Sequence, residues 1–151
     1  MSRKSAVRAP RLQLDIVDRA RPRTSVAFVR RVVKAALAFG KRSDMPVALL
    51  LTNDAEIARL HARHLGDATP TDVMSFAVDG QAEIVVSVTT ARRVAKQHGH
   101  ALRAEVALYI VHGLLHVIGF DDVAPRARTR MRNAERVVMR ELGLDVAPVD
   151  A

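Results

Sequence analysis

The residues of this chain best suited to chemistry are His112 and His116, followed by Gly119, Asp121 and Asp122. Two histidines four apart on a helix share one face, one turn from each other, so both imidazoles reach a single cation. Gly119 lets the chain turn after them, because glycine takes positive φ at no steric cost. A carboxylate three residues further on, Asp122, can swing back as a third ligand, with Asp121 as its competitor. Two ligands on a helix and one returning residue leave a fourth position open, the arrangement of a catalytic rather than a structural zinc. The chain has no cysteine, so any metal here must use imidazole and carboxylate. A lone histidine in so apolar a stretch would read as a core residue. The pair, followed by glycine and two aspartates, argues for a ligand set.

The same helix also says which reaction is missing. A zinc peptidase of the His-Glu-x-x-His kind carries its general base directly after the first histidine. Gly113 stands there, so no side chain can take that proton. Phosphodiester hydrolysis has no such requirement: a metal can both activate a nucleophile and neutralise charge on the phosphoryl oxygens.

Stepping outward, the elements that must hold these residues are legible from periodicity. Leu12, Leu14 and Ile16 alternate with polar neighbours, as in a half-buried strand. Thr24 or Ser25 caps a helix to Phe39, with Val29, Val32, Val33, Ala36 and Leu37 at helical spacing and Gly40 at its end. Pro46–Leu51 reads as a central strand, and Asn53 with Glu56 opens a helix to about His64. Residues 66–70 form a loop. Val73–Val78 and Glu83–Val88 are strands joined through the tight-turn pair Asp79-Gly80. Thr89 or Thr90 caps a helix that stops before Gly99. The histidine helix spans about Ala101–Ile118, and a last helix spans about Pro125–Leu142. The order β-α-β-α-β-β-α-α-α predicts an α+β fold: a single domain over 11–145, a mixed four-stranded sheet packed by about five helices, and a zincin-like metal helix. Residues 1–10 are expected to be a flexible basic tail and 146–151 a second tail.

A chain of 151 residues can bury a real core, and its 49% hydrophobic content includes no run long enough to span a bilayer. The start Met1-Ser-Arg-Lys has no apolar stretch behind it, so no secretory signal is expected. The lack of cysteine agrees with a cytoplasmic location. A formal charge of +8 and a pI near 11.1 favour a polyanionic partner, nucleic acid first. Arginine supplies 20 of the 24 basic residues, and its planar fork suits phosphate. Aromatic residues are only 3%, so contact should fall on the phosphate backbone rather than on stacked bases. The basic clusters are Arg19, Arg21 and Arg23; Arg30, Arg31 and Lys34; Arg92, Arg93 and Lys96; and Arg126 through Arg140. Composition alone does not say which of them faces the partner.

Five blocks follow one another in a telling order: Asn53-Asp-Ala-Glu-Ile57, Pro70-Thr-Asp-Val-Met-Ser-Phe76, Glu83-Ile-Val-Val-Ser87, Ala91-Arg-Arg93, and His112 to Asp122. On these the chain resembles the YbeY family of bacterial rRNA-maturation endoribonucleases, over about Leu49 to Leu144. The resemblance implies a zinc-dependent single-strand RNA hydrolase acting in 16S rRNA maturation and ribosome quality control. It implies one zinc ion on His112, His116 and Asp122, and a nucleophile that is either metal-bound water or the RNA 2′-hydroxyl. The implied partners are the 16S precursor and the ribosome, with small-subunit ribosomal proteins and an assembly GTPase. No membrane and no small-molecule cofactor are implied. The alternative is a non-catalytic ribosome-associated assembly factor with a structural or degenerate metal site.

Two departures from the family bear on this. Its third metal-motif histidine is replaced here by Asp122, and alignment favours Asp122 over Asp121 as the ligand. An anion in that place should weaken the cation as a Lewis acid and make manganese or a similar ion more competitive. An arginine usual before the proline-threonine block is replaced by Leu65, and Arg63 substitutes only if the helix end shifts. Thr71, Asp72 and Ser75, with Arg63, are the candidate substrate-binding residues; turn and strand-start chemistry is the plainer reading of the first three. Glu83 reads as a surface residue, with a protein-binding patch as the alternative. His61, His64, His98 and His100 read as helix-surface or helix-end residues outside the metal set.

Overall fold

The first strand, β1, runs over Leu14–Asp18, shifted towards the C-terminus of the Leu12–Ile16 alternation. Pairing sets its limits: Leu14 lies opposite Val47 and Asp18 opposite Leu51, so the ladder starts where its partner starts. The coordinates are a computed structural model and describe residues 11–66, 71–144 and 146. The expected tail 1–10, residues 67–70 of the expected loop, and residues 147–151 of the second tail lie outside the described residues. Helix α1, Val26–Phe39, is capped by Ser25, whose Oγ accepts from the Phe28 N–H, and it buries the five predicted positions. Strand β2 (Val47–Thr52) follows, then α2 (Asp54–Leu65), whose cap Asn53 accepts from the Glu56 N–H.

Strands β3 (Val73–Val78) and β4 (Gln81–Ser87) form the expected hairpin. Asp79 and Gly80 both take positive φ, 50° and 76°, as a two-residue turn matched to strand twist requires. Pairing therefore continues to Val78 opposite Gln81, and β4 begins two residues before Glu83. Helix α3, Val88–His98, starts with no intervening loop. Its cap is Ser87 rather than Thr89 or Thr90, because the last strand residue already has the extended backbone a cap needs. Thr90 instead donates its hydroxyl to Asp54, 2.6 Å away, and Ser87 donates to the same carboxylate oxygen. The first turns of α2 and α3 are tied together there.

The histidine helix α4 is Leu102–Ile118, and α5 is Pro125–Glu141. The sheet order is β1-β2-β4-β3, parallel except for the β3–β4 pair. The fold is thus a single α+β domain with a mixed four-stranded sheet and five helices. On one face of the sheet, Val47, Leu49, Leu51, Ala82, Ile84 and Val86 are buried in the core with residues of α1 and α4. Helix α4 touches α1, α3, α5, β3 and β4, which is why it is apolar nearly all round rather than on one stripe. No single helix is long and apolar enough to cross a membrane.

Candidate metal centre

Gly113 explains how the two histidines come to the edge of the sheet. A Cβ at that position would lie 3.2 Å from methyls of both Ile84 and Val73, so the absence of a side chain lets α4 settle against β3 and β4. Gly40, which ends α1, leaves room for the C-terminal end of the helix in the same way: an added Cβ there would meet Ile118 Cδ1 at 2.6 Å. The glycine that argues against a peptidase base therefore also has a packing role. With α4 seated, the His112 and His116 rings stand 6.5 Å apart between centroids and 29° from parallel. Gly119, at φ +127°, ends the helix and turns the chain back.

The returning loop is shaped by Asp121. Its Oδ1 accepts from the backbone N–H groups of Asp122, at 2.6 Å, and Val123, at 3.1 Å. Ligand atoms of His116, Asp121 and Asp122 all lie within 4.8 Å of one another. His112 joins from the buried side, its Nε2 lying 3.6 Å from Asp122 Oδ2. The four residues form two overlapping sets: the tightest omits His112, whereas the sequence motif omits Asp121. Since Asp121 already spends one oxygen on the loop backbone, Asp122 is the carboxylate with more of its coordinating capacity left.

The group that the sequence reading missed is Glu135. It is buried on α5, with 4% of its side chain exposed, and its Oε1 lies 2.7 Å from His112 Nδ1. Arg132 reaches its other oxygen at 3.5 Å. With Nδ1–H donated to Glu135, His112 presents Nε2 to the cluster, the usual carboxylate–imidazole support of a metal ligand. Burial pushes His112 towards the neutral form, but the hydrogen bond and charge of Glu135, then Asp122 and Asp72, outweigh it and hold its pKa above the ordinary histidine value. The imidazole and carboxylate donors suit a divalent ion such as zinc or manganese.

Beside the cluster opens a cleft of about 310 Å³. Thr71, Asp72 and Ser75 line it, together with His112, His116 and Asp122. Asp72 also makes the strand entry, its Oδ1 accepting from the Val73 N–H at 2.7 Å. Arg63 is exposed in the last turn of α2 and does not line the cleft; Leu65 and His61 do. His64 packs on Phe76 at 5.2 Å between ring centroids, and His98 and His100 stack on each other at the C-terminal end of α3. Glu83 lines a larger groove of about 790 Å³ over the other face of the sheet, which shares Ser75, Phe76 and His116 with the cleft.

Fold and cluster together define a class: a mixed α+β domain with a candidate histidine–carboxylate metal centre at the end of a buried helix. A solution structure from Thermotoga maritima has this fold, with a TM-score of 0.62 and 20% identity over 92% of this chain and 100% of that one. Residues 16–143 match the family described as Endoribonuclease YbeY, and the chain belongs to that family. Endoribonuclease YbeY of Heliobacterium modesticaldum is 38% identical over 119 residues, spanning 67% of this chain and 72% of that protein. The protein of the same name from Desulforamulus reducens is 34% identical over 132 residues, spanning 78% and 86%.

Proposed function

We propose that this chain is a metal-dependent endoribonuclease of rRNA processing, cutting single-stranded RNA at the His112, His116 and Asp122 cluster. The observation that carries the reading is the convergence of His112, His116 and Asp122 on one open cleft in a chain of this family. A divalent cation held there, zinc or manganese, supplies Lewis-acid stabilisation of the charge that develops on the phosphoryl oxygens. Glu135 keeps the His112 ring oriented and its Nδ1 protonated, so that Nε2 stays available as a ligand. Thr71, Asp72 and Ser75 form the polar wall against which a sugar-phosphate segment is positioned, while Leu65 gives that wall an apolar lip. The single domain over 11–145 is the catalytic unit. The 16S precursor is the substrate, the ribosome with its small-subunit proteins and an assembly GTPase are the partners, and the location is cytoplasmic.

Metal content and RNA cleavage are measured for the wild type, His116→Ala and Asp122→Ala. The enzyme reading expects metal and cleavage to fall together in both variants. Cleavage undiminished in His116→Ala would mean that a contaminating nuclease does the cutting. A wild type that binds the ribosome yet never cuts would favour the non-catalytic assembly factor.

A further inference from the structure

Helix α5 carries six arginines against two glutamates, so it accounts for four of the chain's eight net positive charges. One of those glutamates, Glu135, is buried against His112 and does nothing for the outer surface. Arg126, Arg130, Arg136 and Arg140 are exposed, and at about 100° per residue they fall on roughly one third of the helix circumference. Among the described residues none of the four makes a salt bridge; Arg136 reaches only the Asn133 amide, at 3.1 Å.

This arrangement works against the helix. Arg126 and Arg130 are four apart, as are Arg136 and Arg140, and like charges at that spacing repel. The first turn has no acidic residue, although the helix dipole favours one there. The face also reaches the candidate metal centre at its N-terminal end, where Arg130 lines a cleft with Gly119, Phe120 and Asp121. From Arg126 to Arg140 the helix rises about 21 Å.

We infer that the outer face of α5 is the track along which the phosphate backbone of a single-stranded RNA leaves the metal cleft. The inference rests on the reading of that cleft as an RNA-cutting site. Recognition is by arginine–phosphate pairing and carries no base specificity, since α5 has no aromatic residue on which a base could stack. Four phosphate contacts contribute about 2.8 to the slope of log affinity against log salt on a single strand. That slope corresponds to about a 50-fold loss between roughly 50 and 200 mM salt.

The test is binding of a fluorescent single-stranded RNA of about 20 nucleotides to the full chain, with chelator present so that nothing is cut. The wild type is compared with Arg126→Gln/Arg130→Gln/Arg136→Gln/Arg140→Gln, and with a charge-matched control, Arg30→Gln/Arg31→Gln/Lys34→Gln/Arg42→Gln. The α5 variant is expected to lose about 2.8 from the salt slope, with an unchanged or higher melting temperature, while the control loses markedly less. An unchanged slope in the α5 variant, or equal losses in both variants, overturns the track. So does a larger loss of binding to polyglutamate than to RNA, which points to an acidic protein instead. Wild-type cleavage with an unchanged α5 slope sinks only the track. A slope lost in the α5 variant while the wild type never cuts sinks the enzyme reading and leaves the arginine face as an RNA-binding surface.

Discussion

Replacing Glu135 tests whether the candidate centre is built as its geometry suggests, because this side chain meets His112 at Nδ1, on the side of the ring away from the cluster. The 2.7 Å contact joins a buried carboxylate to an imidazole, and charge-assisted hydrogen bonds of this kind are roughly twice as strong as neutral ones. Loss of such a supporting partner costs about 10- to 100-fold in metal affinity, or about 1.4–2.7 kcal/mol. Glu135→Ala should approach the upper end, since it removes both the orientation and the charge. Glu135→Gln keeps an acceptor for Nδ1–H and should sit near tenfold. The pH dependence has a definite sign. Glu135 is the chief reason that His112 titrates above its ordinary value, so both substitutions lower the His112 pKa. Protons then compete less with the ion for His112, and the gap between wild type and variant should be widest above the wild-type His112 pKa and shrink as pH falls through it. The assay is zinc affinity by chelator competition across that range, with melting temperature as the check on folding. A folded Glu135→Ala with wild-type zinc affinity at every pH would refute the role assigned to Glu135 and remove His112 from the ligand set.

Other substitutions probe neighbouring claims. Asp122→His should retain metal and move the activity profile towards lower pH, because a neutral ligand leaves the ion more acidic; identical metal content and profile in Asp122→His and Asp122→Ala would mean that Asp122 is no ligand. Gly113→Ala gains about 1 kcal/mol of helix propensity but forces a methyl against Ile84 and Val73 at a cost of about 1–3 kcal/mol. A net loss in urea denaturation together with weaker metal binding is expected, and a gain in stability would show that α4 does not seat on the sheet there. Glu105 is fully buried beside Tyr109, and burial raises its pKa. The wild type should therefore lose stability as pH climbs from about 4.5 through that raised value, and Glu105→Gln should lack this part of the slope. Parallel stability curves for the two proteins would contradict that assignment.

Most of the fold was legible because its signals are local. The Asp79-Gly80 turn, the Asn53 cap and the valine spacing of α1 each need only a few residues to state their structure. The misplaced boundaries have one cause, which is that a partner segment sets the limit. The start of β1 follows its ladder with β2, and β4 begins early because the hairpin pairs right up to its turn. Ser87 escaped notice as a helix cap because it is also the last residue of β4, and a serine at the end of a strand gives no separate sign of capping a helix with no loop before it.

The candidate site divides along the same line. His112, His116 and the two aspartates occupy eleven consecutive positions, so spacing alone brings them together. Glu135 lies 23 residues beyond His112, inside the most basic helix of the chain, and invites reading as one acid among arginines. A signal was nevertheless present. Glu135 falls four residues after Met131 and four before Met139, on the buried stripe with Ala127, Ala134 and Val138. A carboxylate on an apolar stripe needs either a proton or a partner to stay buried, because desolvating its charge alone costs several kcal/mol. Of the helices packed on that stripe, α4 offers His112 as its partner. The same stripe therefore both packs α5 against α4 and delivers the carboxylate that orients His112, which leaves the opposite face of α5 to expose Arg126, Arg130, Arg136 and Arg140.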